Sequence, residues 1–428
     1  MGSGAGSTRR ESQTDVVIVG GGPAGSSLGV ALARLGVGVV ILDRARFPRP
    51  KPCAEYLSPQ ASRVLHAMGV LEEVEQSGAA QLAGMVVRAP NGTRVIGEFA
   101  GCSVKGFRDR GLSVRREILD DILLGAARRE DVDVRESTHV VDVIRDGGGR
   151  VRGVRTIDNR EITADLVVGA DGLRSVIARR LALARSARWP RRYALVTHYR
   201  GVGEIGDCGE MHVERGGFVG IADVGEGLTT VALVVPRRRA IEFANGREAF
   251  LDRWLAARPQ LARRFAGATR VSPVVATGPF ASRAKRAWAP GAALVGDAAD
   301  FFDPFTGEGI YAALRGGELL APFVRDALGA SSAREADEAL AAYDQRRRRE
   351  FGGKWIVEWI IGAVVASPRL MNRAARVLAA RKDMADLLVG VTGDFVPASA
   401  VLNARYILSL FVVPLSLATR RPQLGTRD

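Results

Sequence analysis

The clearest signal along the chain is a series of short, continuous apolar runs: Val16-Val17-Ile18-Val19, residues 37–42, residues 164–169, residues 231–236 and residues 292–296. Each is too short for an independent helix and is bounded by glycine, proline or an acid. This predicts strands buried on both faces. Between the first two runs, residues 26–35 carry a helical pattern. A loop punctuated by Pro48, Pro50, Pro52 and Pro59 follows, then a helix over about 60–68. Residues 84–101 alternate like strands, and Ile118, Leu119, Ile122 and Leu123 space out a helix over 117–128. Strands are predicted over 132–154, turning at Gly147-Gly148-Gly149. Residues 193–235 read as antiparallel sheet and residues 240–265 as helix. After Gly309 the pattern is helical almost to the end.

The turn after the first run is Gly20-Gly21-Gly22-Pro23-Ala24-Gly25, and the second run ends in Asp43, 18 residues past Gly25. Strand, glycine turn, helix, strand, acid is the order a dinucleotide site needs. Gly20 permits the tight turn, Gly22 lets a pyrophosphate approach the backbone, and Gly25 lets the helix lie close to the strand. The helix start offers free N–H groups and partial positive charge to phosphates. Asp43 can accept from ribose hydroxyls and disfavours a 2′-phosphate, leaving FAD or NAD. The fold class is therefore α/β with an α+β insertion: an interrupted Rossmann-like domain, an antiparallel-sheet substrate domain threaded through it, and a C-terminal helical region. The expected division is 14–75, 110–185 and 280–330 for the cofactor domain, 76–109 and 186–279 for the substrate domain, and 331–428 for the helical region. Residues 1–13, rich in Gly, Ser, Arg and Glu without an apolar core, are expected to be a disordered N-terminus rather than a signal peptide.

Two more segments follow predicted strands: Gly169-Ala170-Asp171-Gly172-Leu173-Arg174-Ser175, and residues 296–310, which contain Gly296-Asp297, Pro304 and Gly307-Glu308-Gly309-Ile310. With the glycine turn, they resemble the three motifs of flavoproteins of the p-hydroxybenzoate hydroxylase type, over roughly residues 14–330. Gly307-Glu308-Gly309-Ile310-Tyr311 and Lys51-Pro52-Cys53 are most similar to the geranylgeranyl reductase branch, although Ala54 stands where that branch usually has glycine. The resemblance implies FAD. Gly20, Gly22, Pro23, Ala24 and Gly25 would meet the pyrophosphate. Asp43, with Arg44 beside it, would meet the adenosine ribose. Arg116 would be the flavin-contacting arginine, Asp171 and Gly172 would brace the cofactor, and Val140 joins the cofactor contacts. Gly296 and Asp297 would bind the ribityl chain, Pro304 would meet the ring face, and Gly307, Gly309 and Ile310 its pyrimidine side. Phe218 and His212 are the substrate-facing candidates, with His198 in the same region. Gly220 and Ala222 replace large side chains of that branch's aromatic pattern, which suggests a roomier pocket.

The resemblance also implies the chemistry, a hydride passed from reduced flavin to an unsaturated, mostly apolar substrate such as an isoprenoid or polyketide. A proton donor is then needed, and Cys53 and Glu55 are the candidates; Lys51 and Arg49 could lower the thiol pKa of Cys53. The same motifs serve a monooxygenase, which is the alternative. No second glycine fingerprint is present, so the electron donor, NAD(P)H or another, is expected to be external.

Bulk properties change this little. The chain is 47% hydrophobic and 25% charged, ordinary for a globular protein. Cys53, Cys102 and Cys208 are too few and too scattered for a disulfide framework or a zinc site, which fits a reducing cytoplasm. The net charge of +14 comes from dispersed arginines, and no nucleic-acid module accompanies it. A basic binding protein for nucleic acid or membrane is the remote alternative, and no nucleic-acid partner is expected. Two apolar C-terminal segments, 355–366 and 406–415, fall short of a membrane span; Glu358 interrupts one and Pro414 the other. Trp355 and Trp359 beside the basic run 346–354 make peripheral contact with the inner membrane face the variant to test.

Overall fold

The computed structural model describes residues 14–186, 191–301 and 303–410. The N-terminal 13 residues, Phe302 and the end of the second apolar C-terminal segment lie outside the described residues.

The apolar runs form the first sheet, in the order Trp288–Ala289, Ala292–Leu294, Glu161–Gly169, Thr14–Val19, Val39–Leu42, Asp133–Arg135. Every pairing is parallel except the short one at the Trp288 edge. Val16, Val17 and Ile18 are fully buried, the expected state of a parallel strand covered on both faces. The hairpin Val140–Arg145 and Val151–Thr156 extends Glu161–Gly169 in antiparallel fashion. Helix Pro23–Ala33 starts directly after Gly22, with Pro23 in its first turn, where the missing N–H costs nothing. Helix Gly309–Leu328 lies against it so closely that a Cβ on Gly317 would stand 2.7 Å from the Leu28 nitrogen.

The second sheet runs Thr269–Arg270, Arg192–Arg200, Leu228–Pro236, Gly217–Asp223, Cys208–Glu214, Gly84–Arg88, Arg94–Glu98, with Val275–Thr277 also on Arg192–Arg200. It is antiparallel except where Gly84–Arg88 joins Cys208–Glu214 in parallel, because that hairpin arrives from far earlier in the chain. Its two faces bury different cores. Leu195, Val219, Ile221, Val231 and Leu233 pack against Phe250, Trp254 and Leu261 of helices Arg247–Ala256 and Pro259–Phe265. Ala194, Val196, Phe218, Ala232 and Val234 face Phe305, Leu173 and the C-terminal helices. Residues 240–265, expected as one helix, form three: Ala240–Phe243, Arg247–Ala256 and Pro259–Phe265. Gly246 loosens the first break, and Pro259, which cannot continue a helix, fixes the second.

The C-terminal region holds the 34-residue helix Ala333–Ala366, then Pro368–Ala380, Lys382–Thr392 and Ala404–Ser409. Among the described residues no helix is long and apolar enough to cross a membrane.

Candidate cofactor and substrate site

The glycines of the first turn differ in what a Cβ would meet. Gly20 has φ +110°, and a Cβ there would lie 2.4 Å from the Ala170 carbonyl oxygen. A Cβ on Gly25 would lie 1.9 Å from the Gly20 oxygen. Gly22 alone faces open space, its nearest neighbour being Arg49 Nη2 at 3.8 Å. The open position is where a phosphate can reach the start of the helix that carries Pro23 and Ala24. Asp43 is fixed beside it: Oδ2 accepts the Gly21 N–H and Oδ1 the Ala45 N–H, both at 2.8 Å. Arg44 is exposed. The loop instead sends Arg49 inward, 4.0 Å from Asp43 Oδ2 and 3.3 Å from Asp120 Oδ2.

The second motif closes the other side. Asp171 Oδ2 accepts the N–H of Val176 at 2.6 Å and so caps a short helix, while its Oδ1 is buried with no partner. Burial pushes this carboxyl up. Gly172 has φ +78°, and a Cβ there would lie 3.9 Å from Lys51 Nζ. Burial lowers the Lys51 ammonium, with Arg116 acting in the same direction and Asp297 and Asp120 opposing it. Arg116 is 4% exposed and grips Asp120 with two hydrogen bonds of 2.8 Å; Cys53 is its other side-chain neighbour. Val140 is buried at the start of its strand. Charges of both signs side by side (Arg49, Asp120, Arg116, Lys51, Asp297), an orphaned Asp171 oxygen and a glycine with no Cβ in the way fit an elongated dinucleotide.

The third motif touches the first: a Cβ on Gly296 would lie 2.9 Å from the Ala24 Cβ. Asp297 follows, raised by burial and opposed by Lys51 and Arg116. Pro304–Thr306 make a single tight turn, and Gly307, at φ +75°, rests on the Tyr56 ring. Gly309 and buried Ile310 then open a 20-residue helix with free N–H groups at its start. Beneath this turn lies a polar layer that sequence reasoning missed. Arg192 bonds Asp303 at 2.7 Å, Thr306 bonds Glu358 at 3.3 Å, and Lys354 lies between Glu308, at 3.7 Å, and Asp394. Burial pushes Glu308 up to about 7 against the pull of Lys354. Burial, Glu308 and Asp303 push Glu358 well above the carboxylate range. The one available signal was Glu358 itself, an acid inside an apolar run.

Between this motif and the second sheet runs a narrow cleft. Leu82, Met85, Met211, Gly220, Ile221, Ala222 and Thr230 line one side, and Ala54, Tyr56, Thr306 and Gly307 the other. Gly220 and Ala222, the small residues of the aromatic-poor stretch, are both in its wall. Phe218 lies on the same sheet face but packs edge-on against Phe305, with ring centroids 4.9 Å apart. His212 faces the opposite way. It pairs with Val219 of the other core, and Glu210 joins it at 2.8 Å to Arg264. The structure thus takes His212 away from the cleft: strand parity, hidden in the sequence, turns it outward. His198 is the histidine that reaches the cofactor loop, its Nε2 2.7 Å from Glu55 Oε2.

Glycine turn, acid-tipped second strand and two further strand-end motifs converging on one groove define a nucleotide-dependent redox protein. The chain belongs to the FAD binding domain family, whose match covers residues 13–352, and it is an FAD-dependent oxidoreductase. It is 30% identical to digeranylgeranylglycerophospholipid reductase 2 of Methanopyrus kandleri over 89% of this chain and 93% of that one. It is also 30% identical to digeranylgeranylglycerophospholipid reductase of Methanothrix thermoacetophila, over 79% and 84%. Against conditioned medium factor receptor 1 of Dictyostelium discoideum the identity is 29%, and the match spans 72% of this chain and 62% of that protein's length. The fold is shared with the flavin-dependent brominase Bmp2 in a triple-mutant structure (TM-score 0.77, 22% identity, 93% and 99% coverage). It is also shared with the myxobacterial chondrochloren halogenase CndH (TM-score 0.75, 25% identity, 94% and 98%).

Proposed function

We propose that the protein is a reductase of the geranylgeranyl reductase kind, acting on carbon–carbon double bonds of an unsaturated, mostly apolar substrate. The observation that carries this reading is the cleft: its sheet wall is mostly apolar, with Leu82, Met85, Met211, Gly220 and Ala222 beside Thr230 and Glu210, and its other wall joins Ala54 and Tyr56 to Thr306 and Gly307 of the third flavin motif. The cleft as it stands has room for only about 30 Å³, so an apolar chain would enter by parting these walls, next to the place where a flavin ring would rest. The likeness to two reductases, over 89% and 79% of the chain, supports the same reading. Bound FAD would supply hydride transfer. The protein's part is orientation and charge. Gly309 and Ile310 would offer N–H groups, backed by the helix dipole, to the side of the ring that turns negative on reduction. Arg116 and Lys51 would hold positive charge over the groove, and the Cys53–Glu55 turn would supply a proton. The electrons would come from an external donor, NAD(P)H or another. The site of action would be the cytoplasm, with a peripheral contact at the inner membrane face through half-exposed Ile356 and Trp359.

The test is anaerobic turnover of a digeranylgeranylglycerophospholipid with dithionite-reduced enzyme, followed by mass spectrometry. Gain of two hydrogens per double bond without oxygen supports the reading. Turnover that requires oxygen stoichiometrically and inserts an oxygen atom refutes it in favour of a monooxygenase, the reading favoured by the shared fold with halogenases.

A further inference from the structure

A hydride added to one carbon of a double bond yields a saturated product only when the other carbon takes a proton, so on the reading above the site needs a route for protons as well as electrons. Glu55 is 3% exposed and held at φ +64°, in the left-handed region that non-glycine residues adopt rarely. Each oxygen of its carboxylate makes one hydrogen bond and keeps a second lone pair. Oε1 accepts the Arg116 N–H at 3.0 Å, and Oε2 lies 2.7 Å from His198 Nε2. The imidazole continues outward, with Nδ1 3.1 Å from Ser272 Oγ. Ser272 is half-buried, between exposed Val271 and exposed Pro273. Three side chains from three distant segments thus make one unbroken hydrogen-bonded line from the surface to the turn bearing Cys53 and Glu55.

The partners permit the direction a proton line needs. Ser272 Oγ accepts the His198 backbone N–H at 2.9 Å, and Thr197 spends its hydroxyl hydrogen on the Ser272 carbonyl at 2.7 Å. The Ser272 hydroxyl hydrogen then has two acceptors at 3.1 Å, Thr197 Oγ1 and His198 Nδ1. Turned to Nδ1, it leaves the ring proton on Nε2, facing Glu55, and this is the arrangement in which the line conducts. The inner end lies beside the cleft. His198 pairs across the sheet with Thr230, and Thr230 with Ala222; both line the cleft, and Thr230 Oγ1 is buried with no partner. Ala54 and Tyr56, the neighbours of Glu55, line it from the other side.

We propose that Ser272 and His198 form a proton-entry line that recharges Glu55 during reduction of the substrate. In each cycle one carbon of the double bond takes the hydride that bound, reduced FAD would supply, and Glu55 loses a proton to the other carbon. His198 returns a proton to Glu55 from Nε2 and takes one at Nδ1 from Ser272, which water refills; exchange of the ring proton from Nδ1 back to Nε2 through solvent resets the line for the next cycle. The sum is one hydride and one proton added across the double bond, with the proton drawn from solvent. His198 acts through Glu55 and is a positioning and relay residue.

Two measurements test this. In the first, enzyme reduced with dithionite is mixed anaerobically with digeranylgeranylglycerophospholipid, and flavin reoxidation is followed. H198A is expected to slow this step about 10²-fold, the usual worth of one proton-transfer group. Added imidazole should restore at least a tenth of the wild-type rate, while FAD affinity stays within twofold. The second uses the apoprotein and needs no turnover. With only four histidines in the chain, 15N spectra resolve His198, which should show the Nε2–H tautomer and change on E55Q. An unchanged rate in H198A, a loss that imidazole does not rescue, or a His198 signal indifferent to E55Q overturns the relay. Should H198A misfold, H198Q takes its place. If wild-type reduced enzyme leaves every double bond untouched, the reductase reading fails, and the spectra of the apoprotein still decide whether the line exists.

Discussion

Gly22→Ala separates the fold from the cofactor site by one methyl group. Gly22 sits at φ −77° and ψ −173°, a conformation alanine adopts without strain. The added Cβ would meet nothing nearer than Arg49 Nη2 at 3.8 Å. The apoprotein should therefore keep its stability to within about 1 kcal/mol, with any shift upward from a stiffer unfolded chain. On the assignment of this turn to the pyrophosphate, the methyl would occupy its approach. Losing about two charge-assisted N–H bonds at about 1.5–3 kcal/mol each removes roughly 3–6 kcal/mol of binding. That is a rise of about 10²- to 10⁴-fold in the FAD Kd. Gly25→Ala, three residues on, should do the reverse. Its Cβ would stand 1.9 Å from the Gly20 oxygen, so the turn itself must open, at about 1–3 kcal/mol or more. Urea unfolding of the two apoproteins and calorimetric titration with FAD measure both effects. If Gly22→Ala binds FAD within threefold of wild type, or unfolds as readily as Gly25→Ala, the assignment of this turn to the pyrophosphate is wrong.

Other outcomes follow from the buried charges and the cleft. Hydrogen bonds from His212 and Arg264 overcome burial and hold Glu210 at about 2 rather than 4.5, so its contribution to stability is present above pH 4.5 and lost as the pH falls toward 2. Glu210→Gln should flatten that acid limb in urea melts and, by stranding the buried Arg264, cost about 3–5 kcal/mol. Glu308 has the opposite sign: raised from 4.5 to about 7, it makes the native state hold a proton that the unfolded chain has lost, so stability should fall as pH rises between those values. Glu308→Gln should remove that fall in thermal melts between pH 4.5 and 8. Gly220→Leu fills the cleft wall beside Met211; if the proposed apolar substrate binds there, its KM should rise about tenfold, the loss of roughly 1.4 kcal/mol of binding, with flavin reduction unchanged in stopped-flow traces.

The tight packing of the glycine turn and of the third motif was readable because it is written in backbone demands. Gly20, Gly25 and Gly296 stand where a Cβ would strike neighbouring atoms, and no other residue can substitute quietly. Loop reach was not readable: nothing in the spacing says that Arg49, rather than Arg44, turns inward from a proline-studded loop. Nor was strand parity. In Leu228–Pro236 every residue up to Val235 is buried, so alternation gives no clue to which face meets the cleft, and His212 and His198 could not be told apart. The polar layer of Lys354, Glu358 and Asp394 depends on a long helix crossing beneath the third motif, a contact between segments that local pattern does not encode.

The two-sided second sheet has a consequence for how such a protein can change its diet. Phe218, Gly220, Ala222, Thr230 and His198 share one side of the plate, while Val219, Ile221, Val231 and Leu233 anchor the reverse side in a separate apolar lining. Substitutions on the first side reshape the wall a guest molecule feels and leave the anchoring untouched. Selection can thus retune guest length and bulk, one pleat at a time, on a chassis whose mounting stays fixed.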